Sequence, residues 1–154
     1  MVTKRGYTSR FSLRGHRDPS TRAGRKYARP RGDDEVVYVS FCEDEDRIAC
    51  ATRNGRALIC SVDDISILSG AGRGVMLIKV QKGDWVIGAS ILADDSDALV
   101  VENDKGTERT ITTRKYEVVS RGGKGFQLFK RGKLERVVWG EPTLPGFPAP
   151  EDEG

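Results

Sequence analysis

Arg47-Ile48-Ala49-Cys50-Ala51-Thr52-Arg53-Asn54-Gly55-Arg56-Ala57-Leu58-Ile59-Cys60-Ser61-Val62 decides the fold. Two apolar runs, 47–52 and 57–62, flank Asn54-Gly55, and Asn-Gly between such runs is the strongest short-range hairpin signal. Outward from it, Gly74-Val75-Met76-Leu77-Ile78-Lys79-Val80 and Trp85-Val86-Ile87-Gly88-Ala89-Ser90-Ile91 flank Gln81-Lys82-Gly83-Asp84. The turn chemistry between them predicts a second hairpin. Four strands within some fifty residues is the content of a propeller-like blade.

The same order of residues occurs on either side. Lys4-Arg5-Gly6-Tyr7 leads into Arg10-Phe11-Ser12-Leu13, and Asp104-Lys105-Gly106-Thr107 leads into Glu108-Arg109-Thr110-Ile111. The turn glycines 6, 55 and 106 are 49 and 51 residues apart. Each is followed, 17 or 18 positions on, by a Gly-basic pair: Gly24-Arg25, Gly72-Arg73 and Gly123-Lys124. A period of this length means stacked supersecondary units, each unable to bury its apolar face without a neighbour. The expected fold is therefore all-β, a pinwheel or propeller-like array of about three four-stranded blades. Its repeats span about 1–45, 46–95 and 96–139.

In the third repeat, 98–102 with 107–112 make the first hairpin and 125–129 with 134–138 the second. In the first, 27–29 pairs with 35–41 through Pro30-Arg31-Gly32-Asp33, and Pro30, which cannot donate to a ladder, makes that hairpin short or places it at an edge. Only Met1, Val2 and Thr3 precede the first turn, as expected of a piece of a longer polypeptide. Pro142, Pro145, Pro148 and Pro150 among glycines and acids predict a disordered tail over 140–154. Almost no helix is expected.

Net charge is only +3, but the charges are segregated. Residues 1–32 hold ten Lys/Arg against Asp18 alone, and residues 33–46 hold seven acids and no base. The bases recur at equivalent places in each repeat, which a merely solvated face does not require. The acidic run 43–46 lacks the glycine and spacing of a calcium loop and reads as a loop cap. Cys42, Cys50 and Cys60 have no C-x-x-C spacing, and His16 stands far away, so a zinc site is not expected. Cys50 and Cys60 lie in apolar runs as small hydrophobes, and an odd number of unpatterned thiols fits a reducing cytoplasm. No segment approaches the length of an apolar membrane span. Cofactors and catalytic residues are not expected, since one histidine remote from any nucleophile-like serine assembles nothing.

The recurring Gly-basic loops suit phosphate. Glycine lets backbone N–H groups approach an anion, and the flanking Arg25, Arg73 and Lys124 supply charge. Candidate contacts are Lys4, Arg5, Arg10, Arg22, Arg25 and Lys26 in the first repeat, with Arg53, Arg56 and Arg73 in the second. Lys105, Arg109, Arg121 and Lys124 complete the set in the third. Trp85, Phe126 and Trp139 read as packing residues, and no basic patch is interleaved with aromatics. Duplex DNA is thus favoured over single strands.

Lys4-Arg5-Gly6-Tyr7, Ala71-Gly72-Arg73-Gly74-Val75 and Lys82-Gly83-Asp84-Trp85-Val86 together resemble the blade motifs of a known family. It is the C-terminal domain of bacterial type IIA topoisomerase A subunits, of DNA gyrase and topoisomerase IV, and the likeness covers residues 2 to about 139. The resemblance implies a β-pinwheel with basic outer rims that bend duplex DNA, here an open crescent and not a closed ring. It also implies that catalysis lies in an upstream core of a bacterial, nucleoid-associated enzyme, whose ATPase B subunit is a further partner. Gyrase carries a Gln-basic-Arg-Gly-Gly-basic-Gly box in its first blade. Arg121-Gly122-Gly123-Lys124-Gly125 matches its last five positions, with Val119 and Ser120 at the first two. The incomplete copy, in the last repeat, favours a topoisomerase IV-like chain. The competing readings are a protein-interaction propeller, against which the WD and kelch signatures are absent, and an RNA-binding SH3-like module.

Overall fold

The computed structural model describes residues 1–140, so the expected tail, Gly140 apart, lies outside the described residues. The strands are β1 Val2–Thr3, β2 Tyr7–Thr8, β3 Arg10–Phe11, β4 Val36–Tyr38, β5 Arg47–Thr52, β6 Arg56–Ser61 and β7 Ile67–Leu68. They continue with β8 Val75–Met76, β9 Val86–Leu92, β10 Leu99–Asn103, β11 Glu108–Ile111, β12 Phe126–Gln127 and β13 Leu134–Val137. Helical structure among the described residues is confined to two 3-10 turns, Leu13–His16 and Val62–Asp64. No helix is long and apolar enough to cross a membrane.

The first hairpin of every repeat forms: β1–β2, β5–β6 and β10–β11 are antiparallel pairs. Their turns share one construction. The N–H of Gly6, Gly55 and Gly106 donates to the carbonyl of Thr3, Thr52 and Asn103 respectively. The side-chain oxygens of the same three residues accept the N–H of Tyr7, Arg56 and Thr107. The glycines have φ of +89°, +83° and +78°, and among the described residues no non-glycine residue has positive φ. The connection is thus a three-residue loop closed by a left-handed glycine, and not the type I′ turn that Asn54-Gly55 suggests.

The expected second hairpins do not form. The arms 74–80 and 85–91 part company: β8 pairs with β2 of the preceding repeat, while β9 pairs with β5 of its own. In the third repeat β12 likewise crosses to β6 and β13 stays on β10. In the first, β4 pairs with β1, whereas Ala28 makes only an isolated parallel bridge to Gly72. The resulting sheets run β4-β1-β2-β8, β12-β6-β5-β9 and β11-β10-β13, with a parallel pair β3-β7 beside them. Most strands fall within the stretches the sequence marks, though β4, β8 and β12 are shorter and 27–29 forms none, and a short turn did not dictate their partners. A free sheet edge one repeat back offered better pairing. The third sheet accordingly has three strands among the described residues, which form no closed ring.

Both faces of the middle sheet are buried, which is why its sequence reads as nearly continuous apolar runs. Ile48, Cys50, Leu58 and Cys60 pack with Val2, Leu77, Ile78, Val86 and Ala89 toward the first sheet. The alternate residues Ala49, Ala51, Ala57 and Ile59 pack with Leu99, Val101, Ile111, Leu134 and Val137 of the third. Gly88 admits this approach, since a Cβ there would sit 2.5 Å from Val137 Cγ2. Loops before the hairpins are capped by carboxylates. Asp46 of the acidic run accepts the Glu43 N–H at 2.8 Å, and Asp97, which lies outside that run, accepts the Ala93 N–H at 2.7 Å.

Candidate nucleic-acid interface

Two kinds of basic corner result, and they differ in how free their cations are. At the first two hairpin turns the cations are engaged, while Lys105 at the third is exposed and outside the ion pairs among the described residues. The Lys4 ammonium lies 3.6 Å from Glu35 and over the Trp85 ring, and Arg5 is ion-paired with Asp33. That pairing holds the Asp33 carboxyl below its usual range and the Arg5 guanidinium above its own. Arg53 also lies over the Trp85 ring, 5.4 Å from its centroid, donates to the Leu134 carbonyl at 3.0 Å and pairs with Glu135. Beneath these turns sit two carboxylates that sequence patterning passes over as turn locks. Asp34 accepts the N–H groups of Arg5 and Glu35, and buried Asp84 accepts those of Asn54 and Trp85, all at 2.8–2.9 Å. A shared Gly-Asp, Gly32-Asp33 and Gly83-Asp84, marks both turns, but in the first repeat the lock is the next residue, Asp34.

Two of the three Gly-basic loops, Gly72-Arg73 and Gly123-Lys124, lie instead where successive repeats meet. The Arg29 N–H donates to the Gly72 carbonyl at 2.9 Å, and the equivalent Lys79 N–H to the Gly123 carbonyl at 2.8 Å. The glycine after each loop cation serves strand exchange. Gly74 (φ +86°) and Gly125 (φ +73°) lie so close to the preceding sheet that a Cβ would fall 2.1 Å from the Thr8 carbonyl oxygen and 2.2 Å from that of Ala57. This close approach lets β8 and β12 reach β2 and β6. The first repeat has Lys26 at this place.

Over residues 46–93 the chain matches the family model "DNA gyrase C-terminal domain, beta-propeller". It is 31% identical over 141 residues to the DNA gyrase A protein of Lawsonia intracellularis, covering 90% of this chain and 17% of that protein. To the DNA topoisomerase 4 A protein of Bacillus subtilis it is 27% identical over 110 residues, 70% of this chain and 14% of that one. A crystal structure of the C-terminal domain of DNA topoisomerase IV superposes with a TM-score of 0.79 at 20% identity, over 89% of this chain and 44% of the other. The chain belongs to the gyrase A and topoisomerase IV C-terminal domain family. It spans under a fifth of the length of these two curated relatives.

Within this gyrase and topoisomerase IV family setting, the candidate contacts divide by exposure. Arg22, Arg25, Lys26, Lys105 and Lys124 are exposed and enter none of the ion pairs among the described residues. Arg10 points inward, its side chain 13% exposed between Asp44, Asp63 and the Ile65 carbonyl. Arg56 donates to the Gly125 carbonyl at 3.3 Å and Arg109 to the Glu108 carbonyl at 3.5 Å. Arg121, the arginine of the box-like segment, donates to the carbonyls of Asp64 and Met76, bracing the loop that carries Gly122, Gly123 and Lys124. Arg73 lies 3.6 Å above the Tyr7 ring centroid with its Nε buried and unpaired. The aromatics pack as expected: Phe126 stacks on Tyr116 at 4.2 Å and Trp139 on Tyr38 at 5.8 Å. No cluster of metal-ligating side chains occurs among the described residues.

Proposed function

We propose that this chain is a non-catalytic DNA-binding and DNA-bending segment of the A chain of a bacterial type II topoisomerase, acting through duplex phosphates. The observation that carries this reading is the recurrence of Gly-basic loops at equivalent places in successive repeats, with Gly72-Arg73 and Gly123-Lys124 each docked on a repeat junction. Cations spaced along an array of sheets contact a duplex at intervals, and a duplex that follows them curves. Bending 20–30 base pairs through 40–90° costs about 1–6 kcal/mol, which several phosphate contacts offset at low salt. Its partners on this reading are duplex DNA, the ATPase subunit, and the catalytic core of its own polypeptide, in the bacterial cytoplasm. The repeat array, about 1–139, is the binding domain.

A topoisomerase IV-like origin is favoured over gyrase, because Val119 and Ser120 stand where the gyrase box has glutamine and a basic residue. The test is a mobility shift with a duplex of about 40 base pairs under salt titration, where affinity is expected to fall by roughly 10³–10⁵ between 50 and 200 mM salt. Absence of binding at low salt removes the proposal, and preference for an RNA competitor replaces it with the RNA-binding reading. Ligation of nicked circles then reports whether wrapping has a hand; a strong one-handed shift in linking number moves the assignment to gyrase.

A further inference from the structure

Resting on the DNA-binding reading above, we infer that each phosphate grip is composite, built from a cation of one repeat and the loop cation of the next. Arg29 and Lys79 occupy equivalent places in the connectors that follow Ala28 and Ile78. Neither belongs to a turn or a Gly-basic motif, so sequence patterning passes over them. The structure sets each against the following repeat's loop: Arg29 N–H on the Gly72 carbonyl, Lys79 N–H on the Gly123 carbonyl. The residue after each of those glycines is the loop cation, Arg73 or Lys124. Two cations from different repeats therefore flank one short hydrogen bond at both junctions. Arg29, Lys79 and Lys124 are exposed, and none of the four cations takes part in an ion pair among the described residues.

Arg73 shows how such a corner is prepared. Its guanidinium carbon lies 3.6 Å from the ring centroid of Tyr7, a residue of the preceding repeat, close enough for a cation–π contact. Among the described residues no acceptor meets any of its N–H groups, and its Nε is shut away from solvent. An arginine fork held in place with donors unmet is matched by an oxyanion such as phosphate, which accepts two N–H groups side by side. Arg29, whose backbone N–H donates to the carbonyl of the residue before Arg73, adds a second exposed positive charge to that junction. Junction geometry and anion binding are thus coupled, because no corner exists until the neighbouring repeat has docked.

Titrating duplex binding by the full 154-residue chain against salt tests this. In Arg29→Ala/Lys79→Ala the log–log salt slope is expected to drop by about 1.8, two contacts at about 0.9 each. Arg114→Ala/Lys115→Ala, which removes two exposed cations outside the Gly-basic loops and their connectors, leaves it unchanged. Losses in Lys79→Ala and Lys124→Ala are expected to be coupled by at least about twofold in affinity, whereas those in Lys79→Ala and Arg29→Ala add independently. Equal slopes for the two double variants, or independent losses at Lys79 and Lys124, overturn the composite grip while leaving DNA binding intact. Failure of the unsubstituted chain to bind duplex at low salt instead removes the reading beneath it. Thermal melts of each variant check that the junctions remain folded.

Discussion

Asp84 carries more of this structure than any cation around it. One buried carboxylate oxygen satisfies two backbone donors, Asn54 N–H and Trp85 N–H, and so ties the hairpin turn of the middle repeat to its outer strand. Asp84→Ala leaves both donors without that partner and is expected to lower unfolding free energy by about 1–3 kcal/mol in urea melts, with Asp84→Asn losing less because its amide oxygen still accepts. The exposed ion pair of Arg5 with Asp33 is a contrast, since solvent screens such pairs and their removal changes stability little. Thiol chemistry gives a second residue-scale test. Burial raises the Cys50 thiol far above its ordinary range and pushes Cys60 up to about 12, while Cys42 is exposed. At mildly alkaline pH one thiol per native chain is expected to react with a thiol reagent, and all three after denaturation; fast reaction of more than one in the native state contradicts the packing of β5 and β6. That Cys50 and Cys60 are buried was legible from their apolar neighbours. That Asp84 is a turn lock was not, because a carboxylate beside glycine reads equally well as a solvated turn.

At the scale of elements, alternation and turn chemistry locate strands, and they located most of these. They do not say which edge a strand joins, since that depends on chain geometry fifty residues away. The glycines held the information in retrospect. Gly74 and Gly125 are required by backbone approaching backbone, whereas a Cβ on Gly106 would meet nothing within 4 Å. Alanine at Gly106 is therefore expected to cost only the backbone strain of a left-handed residue, about 1–2 kcal/mol. Alanine at Gly125 adds a collision with the Ala57 carbonyl and is expected to release β12, seen as faster amide exchange at the β6 edge as well as a larger loss of stability. Equal costs at the two positions count against the strand exchange. The candidate interface was half legible for the same reason. The Gly-basic loops announce themselves in sequence, but Arg29 and Lys79 become visible only when the neighbouring repeat is laid against them, and Arg10 and Arg121 turn out to brace loops.

For the whole molecule, the average charge conceals an uneven distribution, and the turn cations are largely compensated by nearby acids. The free positive charge is therefore concentrated on the loops and connectors. Arg53→Gln, at a compensated turn, is expected to change duplex affinity less than Lys124→Gln in the same buffer; the reverse order would place the DNA path along the turns. The interchange of strands has one more consequence. The stretch that repeats in the gene and the sheet that folds in space are out of step, by the distance from an outer strand to the next crossing strand. Cutting the chain at a repeat border, after residue 95 for instance, strips β12 from the middle sheet and uncovers the edge of β6. Fragments made for crystallography or binding work, and any lineage that gains or loses a unit, therefore face a choice of cut point: only a break beyond the incoming strand leaves the sheet behind it whole.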